Sequence, residues 1–336
     1  MRCTRQMQAG GNHQEAERCP PSASYRLFCI TFSLAYGFAL SQIPGYDFKD
    51  WANYIIFAEA SELILLRFLS GGLVEMLANE PLWLLLNIGL ALFLEPDTVV
   101  RTIIFGSAFT VSWLVLRQHP HHAWWLLIFL LLPVVVKNHL IHIRQGAAIA
   151  LFLAGWFCSG RLSRALLMGL SPFVHASFFF VLMILVLARL FRQLRLGPDL
   201  RTIAFIGAGI AVGLGLFWVA YMLGARQALE YQFAMTYVSG LGFVFWSTVV
   251  LLMFMQGRAF LRERAFETGT LLFYLSTYFL IEVTARIFES SLLLVLLAGL
   301  AMSGWRLAVF RGVILFYGGM SWLMRFSQPA LGFGIG

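Results

Sequence analysis

Trp124-Trp125-Leu126-Leu127-Ile128-Phe129-Leu130-Leu131-Leu132-Pro133-Val134-Val135-Val136 contains no charged residue. Such a run has no polar face to present to water and reads as a segment in hydrocarbon or in a fully buried core. Comparable runs occupy about 26–43, 81–95, 102–116, 146–160, 162–190, 202–223, 242–256, 268–285, 290–304 and 307–324. They account for a composition of 60% hydrophobic and 12% charged residues over 336 positions, with a mean hydropathy of +0.80. A soluble domain carries about 25% charged residues. Polar surface is too scarce here to cover a soluble core, which excludes an ordinary cytosolic enzyme, a disordered chain and a disulfide scaffold. Unbroken apolar runs also differ from the alternating strands of an outer-membrane barrel. The expected fold is all-α: a polytopic integral membrane helical bundle of about 10–11 membrane segments.

Residues 1–25 are polar, with Arg2, Arg5 and Arg18, and read as a disordered cytoplasmic tail. Residues 26–328 form the membrane domain and leave no room for a separate soluble one. The first run lacks a small-residue cleavage site and reads as a retained helix. Between 44 and 80 the chain is acidic, with Asp47, Asp50, Glu59, Glu62, Glu75 and Glu80 against Lys49 and Arg67; such a segment is tolerated on the non-cytoplasmic side and is placed there. There Trp51, Tyr54, Ile55, Ile64, Leu65 and Phe68 suggest one face of an interfacial helix. The basic connections at 189–201 and 257–264 read as cytoplasmic loops. These assignments conflict if every run crosses once. One non-crossing or re-entrant segment, either 81–95 or the Pro172-broken 162–190, repairs the parity.

The net charge of +8, from 24 Lys+Arg and 16 Asp+Glu, rests almost wholly on arginine. It fits cytoplasmic loops and anionic ligands better than nucleic acid, and a guanidinium grips an oxyanion bidentately. The arginine bias equally fits a GC-rich genome. Cys3, Cys19, Cys29 and Cys158 lack zinc or redox spacing. His119-Pro120-His121-His122 and His139-Leu140-Ile141-His142 lack a third ligand at motif spacing, so neither a metal nor another cofactor is expected.

Ionisable groups within apolar runs are costly and mark function by default. Arg144 and Gln145 open a helix of small residues, Gly146-Ala147-Ala148-Ile149-Ala150, as an anion site or as a snorkelling arginine would. His175 follows Pro172, with Ser177 two residues on, and suits a general base or a structural histidine. Glu80 precedes Pro81 and suits a helix cap. Asp47 suits a loop acid, and Glu282 and Arg286 suit a neutralising i, i+4 pair.

In order, Gly45-Tyr46-Asp47 with Tyr54, Glu80-Pro81-Leu82-Trp83, Ile143-Arg144-Gln145-Gly146-Ala147-Ala148, the basic turn Arg161–Arg164, Phe173-Val174-His175-Ala176-Ser177 and Ala285-Arg286-Ile287 form a pattern. Over about residues 30–300 it resembles the EpsG family, membrane proteins of exopolysaccharide synthesis related to Wzy-type polymerases. The Arg-Gln and His-x-Ser elements carry most of the likeness. One helix, not two, precedes Asp47, and Gln42-Ile43-Pro44 stands where an arginine is usual. The resemblance implies a glycosyltransferase of the bacterial inner membrane, polymerising undecaprenyl-diphosphate-linked repeats at the outer face. It implies membrane lipid, a flippase and a chain-length regulator as partners, and no nucleic acid. Arg144, then Arg286, would stabilise the leaving diphosphate, with Gln145, Ser177 and Glu282 lining the substrate site. His175 would be the base, with Asp47 or Glu80 as alternatives. Competing readings are a ligase or acyltransferase of the same pathway and a flippase for lipid-linked sugars.

Overall fold

The computed structural model describes residues 22–48, 50–222, 240–281, 284–328 and 332–333. The described residues contain no strand and fold as helices: α1 (Ala23–Gln42), α2 (Trp51–Ser70), α3 (Leu73–Ala78), α4 (Pro81–Ala91), α5 (Pro96–Leu116), α6 (Ala123–Leu130), α7 (Pro133–Leu140), α8 (Ile143–Phe157) and α9 (Arg161–Leu170). After these come α10 (Ser177–Gln193), α11 (Pro198–Met222), α12 (Leu241–Met255), α13 (Arg258–Glu263), α14 (Ala265–Thr277), α15 (Thr284–Glu289), α16 (Leu292–Leu300) and α17 (Trp305–Phe326). The expected all-helical membrane bundle is present.

Local chemistry sets the breaks. Proline opens α4, α5 and α7, where its missing N–H costs nothing and its fixed φ is already helical. Ser22 caps α1 by accepting from the Tyr25 N–H at 3.2 Å. The cap starts the helix at Ala23, inside the stretch that the sequence assigns to a tail through residue 25. Residues 1–21 of that tail lie outside the described residues.

Among the described residues four helices are individually long and apolar enough to cross a membrane: Ala23–Gln42, Pro96–Leu116, Pro198–Gly215 and Trp305–Phe326. Pro120–Leu130 and Pro133–Leu140 add a fifth crossing if taken as one bent unit, with 64° between them. The other apolar runs form shorter helices. Fifteen residues of α8 rise only about 22 Å, short of a hydrocarbon core of about 30 Å. Breaks fall at Pro133 and also within 162–190, where a short 3-10 turn at Ser171–Phe173 separates α9 from α10. The acidic 44–80 segment also departs from a purely interfacial helix. Trp51, Tyr54, Phe57, Ala58 and Ser61 of α2 are buried in the bundle, while Leu63 and Leu66 are exposed on its other side.

In the N-terminal half α5 is the central post, packed against α1, α2 and α8. In the C-terminal half α14 packs against α10, α11, α12, α15 and α16, and every residue of α16 is buried. A helix apolar all round belongs inside. Gly155 lets α9 lie against α8: a Cβ there would sit 2.7 Å from the Met168 Cγ and 2.9 Å from its backbone nitrogen. Gly146 gives the same access to the backbone of α7 at Asn138, the close approach expected of the small residues after Arg144.

Candidate functional site

Three helix ends, the starts of α4, α8 and α10, converge with the short helix α15 beside α2. Breaks in helices leave backbone N–H groups unpaired and admit charge at depth. Glu80 occupies the centre. Its backbone is left-handed, with φ 60°, a conformation that a non-glycine residue holds only when its surroundings impose it.

Its side chain makes no cap bond to α4. Instead, Oε1 accepts from the Ala176 N–H at 3.0 Å, at the start of α10, and contacts His175 Nδ1 at 2.9 Å. Oε2 accepts from Arg144 Nη1. The cap role read from Glu80-Pro81 is thus served on a different helix, 96 residues away in sequence. A carboxylate there gains from the α10 dipole, from the Arg144 guanidinium and from a hydrogen bond to the imidazole Nδ1. Glu80 is only 3% exposed, Arg144 21% and His175 15%, so the acid is sealed while its two partners reach the surface of the site.

Aromatic rings fix the frame. Trp83 is fully buried and packs edge-on against Tyr54 at 5.9 Å and Phe57 at 6.2 Å. The Arg144 guanidinium lies over Phe57 at 5.3 Å. The Tyr54 hydroxyl donates to the Ile141 carbonyl at 2.9 Å and accepts from the Ile143 N–H at 3.1 Å. That bridge closes the α7–α8 turn and aims Arg144, the next residue, at Glu80.

A second polar layer joins the two halves. Gln145 Nε2 donates to the Arg286 carbonyl at 2.7 Å and to Ser290 Oγ at 3.1 Å, and Ser290 Oγ meets Ser177 Oγ at 2.8 Å. Lys137 pairs with Glu289 at 2.7 Å. Gln145 Oε1, Glu289 Oε2 and Arg144 Nε are buried without a hydrogen-bond partner among the described residues. His142 faces Lys137, Arg286, His175 and Arg144 at electrostatic range. Arg286 itself is exposed. Among the described residues the cluster thus sets Arg144, Lys137 and Arg286 against Glu80 and Glu289, a positive surplus suited to an anionic ligand.

Of the residues expected from sequence, Glu80, Arg144, Gln145, His175, Ser177 and the Arg286 backbone come together. Asp47 is exposed and makes no ion pair among the described residues. Glu282 lies outside the described residues. Glu80 is not free to act as a base, because both its oxygens are engaged. His139, read with His142 as a possible ligand pair, is buried against Ser107 at 3.1 Å, and no three metal-ligating side chains gather among the described residues. Lys137, Glu289 and Ser290 join the cluster although they are not among the residues expected from sequence. Lys137 carried a signal: it is one of two lysines in the chain and directly follows the apolar run ending at Val136.

The site can bind an oxyanion with Arg144 and its cationic neighbours and accept a proton at His175. Glu80 orients the imidazole through Nδ1 and leaves Nε2 without a partner among the described residues. No protein-family model, curated protein or solved structure matches the chain.

Proposed function

We propose that the chain is a polysaccharide polymerase of the bacterial inner membrane. It would transfer a growing glycan from undecaprenyl diphosphate onto the terminal sugar of a new lipid-linked repeat. The observation that carries this reading is the Glu80 hub, which holds an arginine and a histidine from distant helices beside further cations. In the reaction an acceptor hydroxyl oxygen bonds to the anomeric carbon, and the carbon–oxygen bond to diphosphate breaks. The diphosphate leaves with the electron pair, and the hydroxyl proton passes to His175 Nε2. Arg144, with Lys137 and Arg286 nearby, stabilises the charge that grows on the leaving group. Glu80 positions both partners and stays ionised. Sidedness agrees: α8 and α10 begin at this cluster and run to the arginine-rich end of the bundle, which the positive-inside rule makes cytoplasmic.

Deleting the gene and analysing surface glycan and extracted polyprenyl-linked sugars tests the reading. Loss of long chains, with single repeats still reaching the outer face, is expected. Finished but unattached polymer would mean a ligase, and repeats held inside would mean a flippase. Arg144→Ala is expected to abolish polymer while the protein still inserts and accumulates. Normal chain length from that variant refutes the assigned role.

A further inference from the structure

At the far ends of α8 and α10 a second cavity of about 270 Å3 opens, separate from the Glu80 cluster. Its size is near the lower limit of ligand pockets, roughly 300–1,000 Å3. Five arginines line it: Arg164, Arg189, Arg192, Arg262 and Arg264. They come from α9, α10, α13 and the α13–α14 junction, so the fold and not one basic stretch gathers them. Glu263 and Glu267 also line it, and Glu267 is buried and pairs with Arg264 at 3.7 Å. The lining still keeps a surplus of three positive charges. Arg164 is held in place by donating Nε and Nη2 to the Cys158 carbonyl at 3.1 and 2.7 Å.

A buried group strengthens the case. Arg201, at the start of α11, is 6% exposed and makes no ion pair among the described residues. Its Nε donates to the Leu196 carbonyl, while Nη1 is buried without a partner. It lines a cleft that shares Ala265 with the larger cavity, and its charged neighbours are Arg192 and Arg262, which repel it. A desolvated guanidinium beside two more cations is unfavourable until an anion compensates it. The floor of the cavity is apolar and aromatic, with Trp156 packed on Phe266 at 5.1 Å.

We propose that this arginine-lined cavity binds a phosphate group, carried by an anionic lipid headgroup or supplied as free phosphate. Guanidinium forks from several helices match phosphate oxygens bidentately, and the aromatic floor suits the start of an acyl or prenyl chain. The proposal is independent of the polymerase reading.

The test is native mass spectrometry of the full-length protein, released from nanodiscs of phosphatidylglycerol in phosphatidylcholine, with inorganic phosphate as competitor. The wild type is expected to retain phosphatidylglycerol selectively, and R192Q/R262Q to lose at least tenfold in retention. Arg258→Gln, at an exposed pair with Asp199 outside the cavity, is expected to stay within twofold of wild type. Monodispersity and unchanged thermal melting of R192Q/R262Q in detergent show that it is folded. If millimolar inorganic phosphate binds the wild type, lost in R192Q/R262Q, without lipid selectivity, the phosphate site stands with free phosphate as its ligand. Equal retention of lipid by wild type and R192Q/R262Q, with no phosphate binding to either, overturns the proposal.

Discussion

Glu80 joins two kinds of cost at one position, a left-handed backbone and a buried carboxylate. The first is about 1–2 kcal/mol for a residue with a Cβ. Glu80→Gly would relieve it, so a purely conformational role predicts a stable, active glycine variant. The hub role predicts loss of polymer in Glu80→Gly as complete as in Glu80→Ala, read by gel analysis of surface glycan. Glu80→Asp retracts the carboxylate by one methylene and cannot serve Arg144, His175 and the Ala176 N–H together. A misplacement of that size costs on the order of 10²-fold in rate. Glu80→Gln leaves Arg144 as a largely buried charge without its partner, and a loss of about 3–5 kcal/mol is expected from unfolding in detergent.

Among elements, α8 does the most positioning: it carries Arg144 and Gln145 at one end and accepts α7 and α9 through its glycines. Gly155→Leu drives a side chain into Met168 and is expected to lower stability by about 1–3 kcal/mol, read as a fall in melting temperature. Gly106 in α5 is a fair control, since a Cβ there meets nothing within 4 Å. Gly106→Ala is expected to raise stability by about 0.5–1 kcal/mol through helix entropy alone. Opposite shifts from the two variants would separate close packing from glycine's general cost. Equal shifts would mean that the α8–α9 approach is unimportant.

For the whole molecule, the two ends of the bundle differ in chemistry. One gathers the Glu80 cluster and the acidic connection after α1, and the other gathers the arginines after α8, α10 and α12. Charge asymmetry sets orientation in the bilayer. In a cysteine-free background, Pro44→Cys is expected to react with an impermeant maleimide on intact spheroplasts, and Leu194→Cys only after lysis. Both positions are exposed. The reverse pattern would put the cluster on the cytoplasmic side and remove the outer-face polymerase reading.

From the chain alone, the helical membrane class was readable, because hydropathy adds up residue by residue and needs no partner. So were Arg144, Gln145, His175 and Ser177, since polar groups stand out in apolar runs. Span count was not readable, because Pro133 and the Ser171–Phe173 turn bend or divide helices at angles that packing selects. Nor was the role of Glu80. Its cap signature is local, yet its carboxylate serves partners 64 and 95 residues away. Lys137, Glu289 and Ser290 were invisible as a set for the same reason. The tertiary structure alone decided which buried charges meet, because an ion pair is a property of two positions in space and hydropathy is a property of one.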